Sequence, residues 1–113
     1  MIQIYHNPRC RKSREALELI RQSGQAHEVI EYLKEPLTVA ELKDLLGKLQ
    51  MEPVQLVRRN EAIWKDQFKG AELSDLDILK AMEAYPKLME RPIAVKGERA
   101  VVGRPPENVR SLL

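Results

Sequence analysis

An α/β domain is the fold class this sequence predicts, on three observations. A short β-branched segment at the start runs into a helical pattern and then a second apolar stretch. The middle of the chain repeats apolar residues at helical spacing. Two strand-like segments around a glycine turn lie near the end. The element order is therefore β-α-β, then helices, then β-β-α. With 113 residues, one domain spanning 1–113 with one core is expected.

Residues 2–5 read as a strand, ended by the turn signal Asn7-Pro8. Residues 13–23 read as a helix: Ala16, Leu17 and Ile20 share a face, and Gly24 supplies the stop. Residues 27–33, with Val29, Ile30, Tyr32 and Leu33, read as a buried strand. Thr38 and Glu41 form a capping box, behind which Val39, Leu42, Leu46 and Leu49 recur at helical spacing. A polar, short-helical stretch covers 53–68. Ser74 then caps a helix whose apolar face is Leu76, Ile78, Leu79 and Met82, stopped near Pro86. Ile93-Ala94-Val95 and Arg99-Ala100-Val101-Val102 are strands joined through Lys96-Gly97-Glu98. Residues 106–112 read as a final short helix, with Pro106 at its first position.

Composition narrows the function. Hydrophobic residues make up 43% and charged residues 32%, an ordinary globular balance. The net charge of +2 is too even for a general nucleic-acid or membrane binder, and five aromatic residues make poor stacking platforms. No apolar run approaches the roughly 18 residues of a bilayer span, and the N-terminus lacks the layout of a secretory signal. One cysteine cannot form an internal disulfide, so a cytoplasmic protein is expected. Two histidines and one cysteine make no metal-ligand cluster, no G-x-G-x-x-G is present, and no tightly bound cofactor is expected.

The charge asymmetry surrounds that cysteine. Residues 1–14 hold Arg9, Arg11, Lys12 and Arg14 and no acid, whereas 15–57 hold four cations and eight acids. A lone cysteine is commonly a small buried hydrophobe. Cys10 instead lies among polar and cationic residues between a strand end and a helix start. Free helix N-terminal amides and nearby cations favour a thiolate, so Cys10 reads as a reactive thiol. Ser13 stands where a second cysteine would complete a C-x-x-C pair, so any redox cycle must borrow its second thiol from a partner. Ser13 suits a helix cap and could donate its hydroxyl to the thiolate. His6 and Arg14 are further candidates for thiolate support.

Tyr5-His6-Asn7-Pro8-x-Cys10-x-x-Ser13-Arg14 resembles the active-site loop of the glutaredoxin-coupled arsenate reductases, the ArsC family. Three further blocks follow in family order. Leu56-Val57-Arg58-Arg59-Asn60 is similar to an L-x-R-x-N segment, Arg91-Pro92-Ile93 to an R-P-I segment, and Val102-Gly103-Arg104-Pro105 to a late arginine block. Together they cover essentially the whole chain. The resemblance implies a thioredoxin-like fold with a helical insertion between its βαβ and ββα halves. It implies Cys10 as nucleophile, Arg58, Arg91 and Arg104 as oxyanion ligands, and Pro92 as a cis-proline facing the cysteine. It also implies arsenate as substrate, glutathione as co-substrate and glutaredoxin as partner, in a protein expected to be monomeric. Guanidinium forks suit a tetrahedral oxyanion. Arg59, Arg99 and Arg110 are assigned to the solvated surface. Arg11-Lys12 replaces the smaller Gly-Thr pair of the better-known members.

Two alternatives stand beside this reading. One is a glutathione-dependent thiol oxidoreductase acting on another substrate. The other is an Spx-type regulator that binds RNA polymerase and senses oxidants through a C-x-x-C, a switch that Ser13 removes.

Overall fold

The structure is a computed structural model that describes residues 1–68 and 70–113. Its elements are β1 (Ile2–Tyr5), α1 (Arg11–Gln22), β2 (His27–Ile30), α2 (Val39–Leu49), α3 (Pro53–Leu56), α4 (Ala62–Gln67), α5 (Asp75–Ala84), β3 (Ile93–Lys96) and β4 (Arg99–Val102). Short 3-10 segments cover Pro86–Leu88 and Pro106–Leu112. The chain forms two compact units. The first comprises residues 1–35 and 91–113, and the second residues 36–90. No helix among the described residues is long and apolar enough to cross a membrane.

The first unit is built on a four-stranded sheet of order β2-β1-β3-β4. β1 pairs in parallel with β2, antiparallel with β3, and β3 antiparallel with β4. A parallel β1–β2 pair requires a crossover, which α1 provides. Ile2 and Ile4 alternate inward on β1 and meet Ala16, Leu17 and Ile20 of α1, with Ala94, Val109 and Leu112 completing the core. The β3–β4 hairpin turns at Gly97-Glu98, where Gly97 takes φ +62°, the positive value a tight hairpin demands at its first central residue.

The second unit is helical. Thr38 accepts from the Glu41 N–H at 3.2 Å and Glu41 answers to the Thr38 N–H at 3.1 Å, so the expected capping box is formed. Ser74 and Asp77 form a second one at the start of α5. α2 buries Leu42, Leu45 and Leu46, and α5 buries Ile78, Leu79, Ala81 and Met82 against α2 and α3.

Several expectations are corrected. α1 begins at Arg11 rather than at residue 13, with Cys10 as its N-cap. β2 stops at Ile30, and Val29 is exposed, because β2 is an outer strand paired only with β1. Tyr32 is buried, but from the turn after the strand, and Leu33 is exposed. Leu76 also faces solvent, since the buried stripe of α5 passes through Ile78, Leu79 and Met82. The final segment is a 3-10 helix.

Candidate active site

The cysteine loop is shaped by local hydrogen bonds. β1 ends at Tyr5, and the His6 N–H still donates to the Ile30 carbonyl at 2.8 Å. Asn7 Oδ1 then accepts the Arg9 N–H at 3.0 Å, and the Asn7 carbonyl accepts the Cys10 N–H at 3.0 Å. An Asn side chain that closes a turn on its own backbone is why Asn7-Pro8 ends the strand here. The Cys10 carbonyl accepts the Arg14 N–H at 3.0 Å, the first bond of α1.

Cys10 is thus the N-cap, with extended backbone (φ −93°, ψ 121°) and a half-buried thiol. Its sulfur does not close a tight side-chain cap. Burial opposes ionisation more than any other single effect. The Ser13 N–H, the Arg91 guanidinium (by hydrogen bonding and by charge) and the Lys12 N–H together outweigh it. They hold the Cys10 pKa below the ordinary cysteine range.

Ser13 supports the thiol through its backbone, while its hydroxyl is used elsewhere. Its Oγ is fully buried, accepts the Asn7 N–H at 3.0 Å and lies 2.6 Å from His6 Nδ1. Burial, the largest effect, pushes the His6 pKa down, with Arg21 and Arg14 adding to it against Glu31 and the Ser13 contact. The lowered pKa favours the neutral imidazole, and Nδ1 shares one hydrogen bond with the Ser13 hydroxyl, the tautomer deciding which of the two donates. The hydroxyl that could have served the thiolate instead locks the loop entrance to the first turn of α1.

The remaining predicted residues divide between the units. Arg91 lies two residues before the start of β3 and reaches Cys10. Arg104 follows β4, is exposed, and donates from Nη1 to the Arg91 carbonyl at 3.4 Å. The Arg14 guanidinium donates to the Pro8 carbonyl at 2.9 Å, bracing the loop from α1. The Arg91–Pro92 peptide is cis, and so is Arg104–Pro105, which the sequence reading did not include. Gly103 donates its N–H to the Pro92 carbonyl at 2.8 Å, and a Cβ on Gly103 would stand 2.8 Å from Pro92 Cγ. Only glycine allows that approach.

Arg58 belongs to the second unit. Its Nε lies 3.1 Å from Glu61 and its Nη1 3.6 Å from Glu90. An isolated bridge of Val57 with Met89 holds this segment, through Arg58 N–H to Leu88 O (2.6 Å) and Glu90 N–H to Leu56 O (2.9 Å). Both carboxylates escaped the sequence reading. The spacing of Glu61 three residues after Arg58 was a usable signal, whereas Glu90 is brought in by the fold. The Lys12 N–H was also missed, because its part follows from a helix start two residues earlier than expected.

A half-buried cysteine capping the helix of a βαβ unit, its pKa lowered in part by a guanidinium from the segment before β3, defines a thioredoxin-like protein with a single cysteine at its helix start. The chain belongs to the ArsC family, whose profile it matches over residues 5–112. It is 40% identical over 116 residues to an arsenate reductase of Neisseria meningitidis, covering 99% of this chain and 97% of the relative. It is 44% identical over 114 residues to the uncharacterized protein YfgD of Escherichia coli, covering 99% of this chain and 96% of that one. Among solved structures it is similar to an arsenate reductase from Vibrio cholerae, with TM-score 0.95 and 44% identity over 99% of this chain and 97% of the other.

Proposed function

We propose that the protein reduces arsenate to arsenite with electrons from glutathione and glutaredoxin, using Cys10 as nucleophile. The observation that carries this reading is the lowered Cys10 pKa, produced by the Ser13 and Lys12 N–H groups and the Arg91 guanidinium on one sulfur. The arsenate reductases among its relatives support the choice of oxyanion.

The Cys10 thiolate attacks arsenic, an S–As bond forms, and one arsenate oxygen leaves as water after taking protons from solvent. Glutathione attacks the adduct. The S–As bond breaks as a Cys10–glutathione disulfide forms, and the electron pair left on arsenic converts As(V) to As(III). Two thiol sulfurs have been oxidised and one arsenic reduced by two electrons. With no second cysteine in the chain, a glutaredoxin thiol then takes the glutathionyl group and restores Cys10. Arg91 and Arg104, both of the first unit, hold the oxyanion charge while arsenic changes coordination. His6, Ser13 and Arg14 keep the loop in place.

The test is a coupled assay of purified protein with arsenate, glutathione, glutaredoxin, glutathione reductase and NADPH, each omitted in turn. Arsenate-dependent NADPH oxidation that requires every component is expected, and Cys10→Ser should abolish it. Oxidation that proceeds equally without arsenate, or none in a system validated with a known reductase, rejects arsenate as the substrate.

A further inference from the structure

The helical unit holds a basic cavity lined by none of the residues assigned to the thiol chemistry. Arg59, Asn60, Trp64 and Lys65 line a shallow depression of about 490 Å³, within the size range of small-molecule sites. Arg59 and Lys65 are exposed and form no ion pair among the described residues. No acidic side chain among the described residues lines the cavity. Glu61, the carboxylate closest to Arg59 in sequence, has Oε1 3.1 Å from Arg58 Nε. The charged side chains among the described lining residues are therefore both cationic. Asn60 supplies an amide donor and acceptor, and the mostly buried Trp64 supplies an apolar wall.

We propose that this cavity binds a small peptide bearing two carboxylates, of which glutathione is the one the proposed reaction consumes. Two cations match two carboxylates, the Asn60 amide matches a peptide group, and the indole matches the intervening methylenes. An inorganic oxyanion would use the cations and leave most of the volume and the indole uncovered. Naming glutathione rests on the proposed function, but binding at this site requires no step of arsenate chemistry.

Trp64 is the only tryptophan of the chain, so its fluorescence reports this cavity directly. The probe is S-methylglutathione, which has no thiol to react with Cys10, titrated into the intact protein with calorimetry in parallel. A saturable change with a millimolar dissociation constant is expected. The dimethyl ester of the probe should bind roughly tenfold more weakly, as should the probe to an Arg59→Glu/Lys65→Glu variant whose thermal melt matches the parent. Arg59→Lys should retain most of the affinity. Neither heat nor a fluorescence change overturns the site. Undiminished binding of the ester or by the double variant overturns it too, as does sodium phosphate binding equally well at matched ionic strength. A failed arsenate assay beside a positive titration would remove the proposed reaction and leave the site standing, and the reverse pair would do the opposite.

Discussion

Replacing Arg91 with alanine isolates what one guanidinium contributes to the Cys10 thiolate. Arg91 acts on the sulfur by both hydrogen bonding and charge, while the Ser13 and Lys12 N–H groups remain in the variant. A hydrogen bond to a charged group contributes about 1.5–3 kcal/mol. Cys10 is only half-buried, so solvent screening places the loss at the lower end, about 1.5 kcal/mol. At about 1.4 kcal/mol per factor of ten, the thiol–thiolate equilibrium moves roughly tenfold toward the thiol. The assay is iodoacetamide alkylation followed by mass spectrometry across a pH series. The parent protein should alkylate with a midpoint below that of a cysteine in an unstructured peptide. Arg91→Ala should move the midpoint upward, slowing alkylation about tenfold on the acid side and leaving the alkaline plateau unchanged. Arg91→Lys should recover part of the difference, because the ammonium keeps the charge and loses the planar fork. A midpoint identical in parent and Arg91→Ala would refute the assignment of Arg91 to the thiolate.

Three further outcomes are expected. Arg104→Ala should lower arsenate kcat/KM roughly tenfold to a hundredfold. Arg99→Ala, whose guanidinium donates to the Ser111 carbonyl at 2.6 Å, is the matched control and should change it little. Gly103→Ala should destabilise the fold by about 1–3 kcal/mol in a urea melt, because its new methyl meets Pro92 at overpacked distance. His6 has a lowered folded-state pKa, so the unfolded chain takes up the proton first. Its contribution to stability is present above the unfolded imidazole value, about 6.5, and is lost as pH falls through the lower folded value. Urea midpoints measured through this range should fall more steeply for the parent than for His6→Gln; equal slopes would remove the neutral His6–Ser13 bond from the account.

The sequence by itself determined whatever depends on near neighbours. The Thr38–Glu41 and Ser74–Asp77 boxes, the Asn7-Pro8 turn and the Gly97 hairpin each close within a few residues, and their hydrogen bonds are written in residue type and spacing. The placement of Cys10 at a helix start was legible for the same reason, whereas the cation that acts on its sulfur is Arg91 and not one of its sequence neighbours. Tertiary structure decided the rest. β2 became an outer strand because only β1 covers it, which its apolar composition did not reveal. Leu76 lost its place on the apolar face of α5 because burial depends on what packs against a helix as well as on its period. The Ser13 hydroxyl turned to His6, seven residues earlier and just past β1, rather than to Cys10. Arg91 reached Cys10 across most of the chain, and Glu90 reached Arg58 through a backbone bridge. Such contacts join residues distant in sequence, so no local propensity encodes them. They form only when burial of the two cores brings the segments together and fixes which donors and charges face the sulfur.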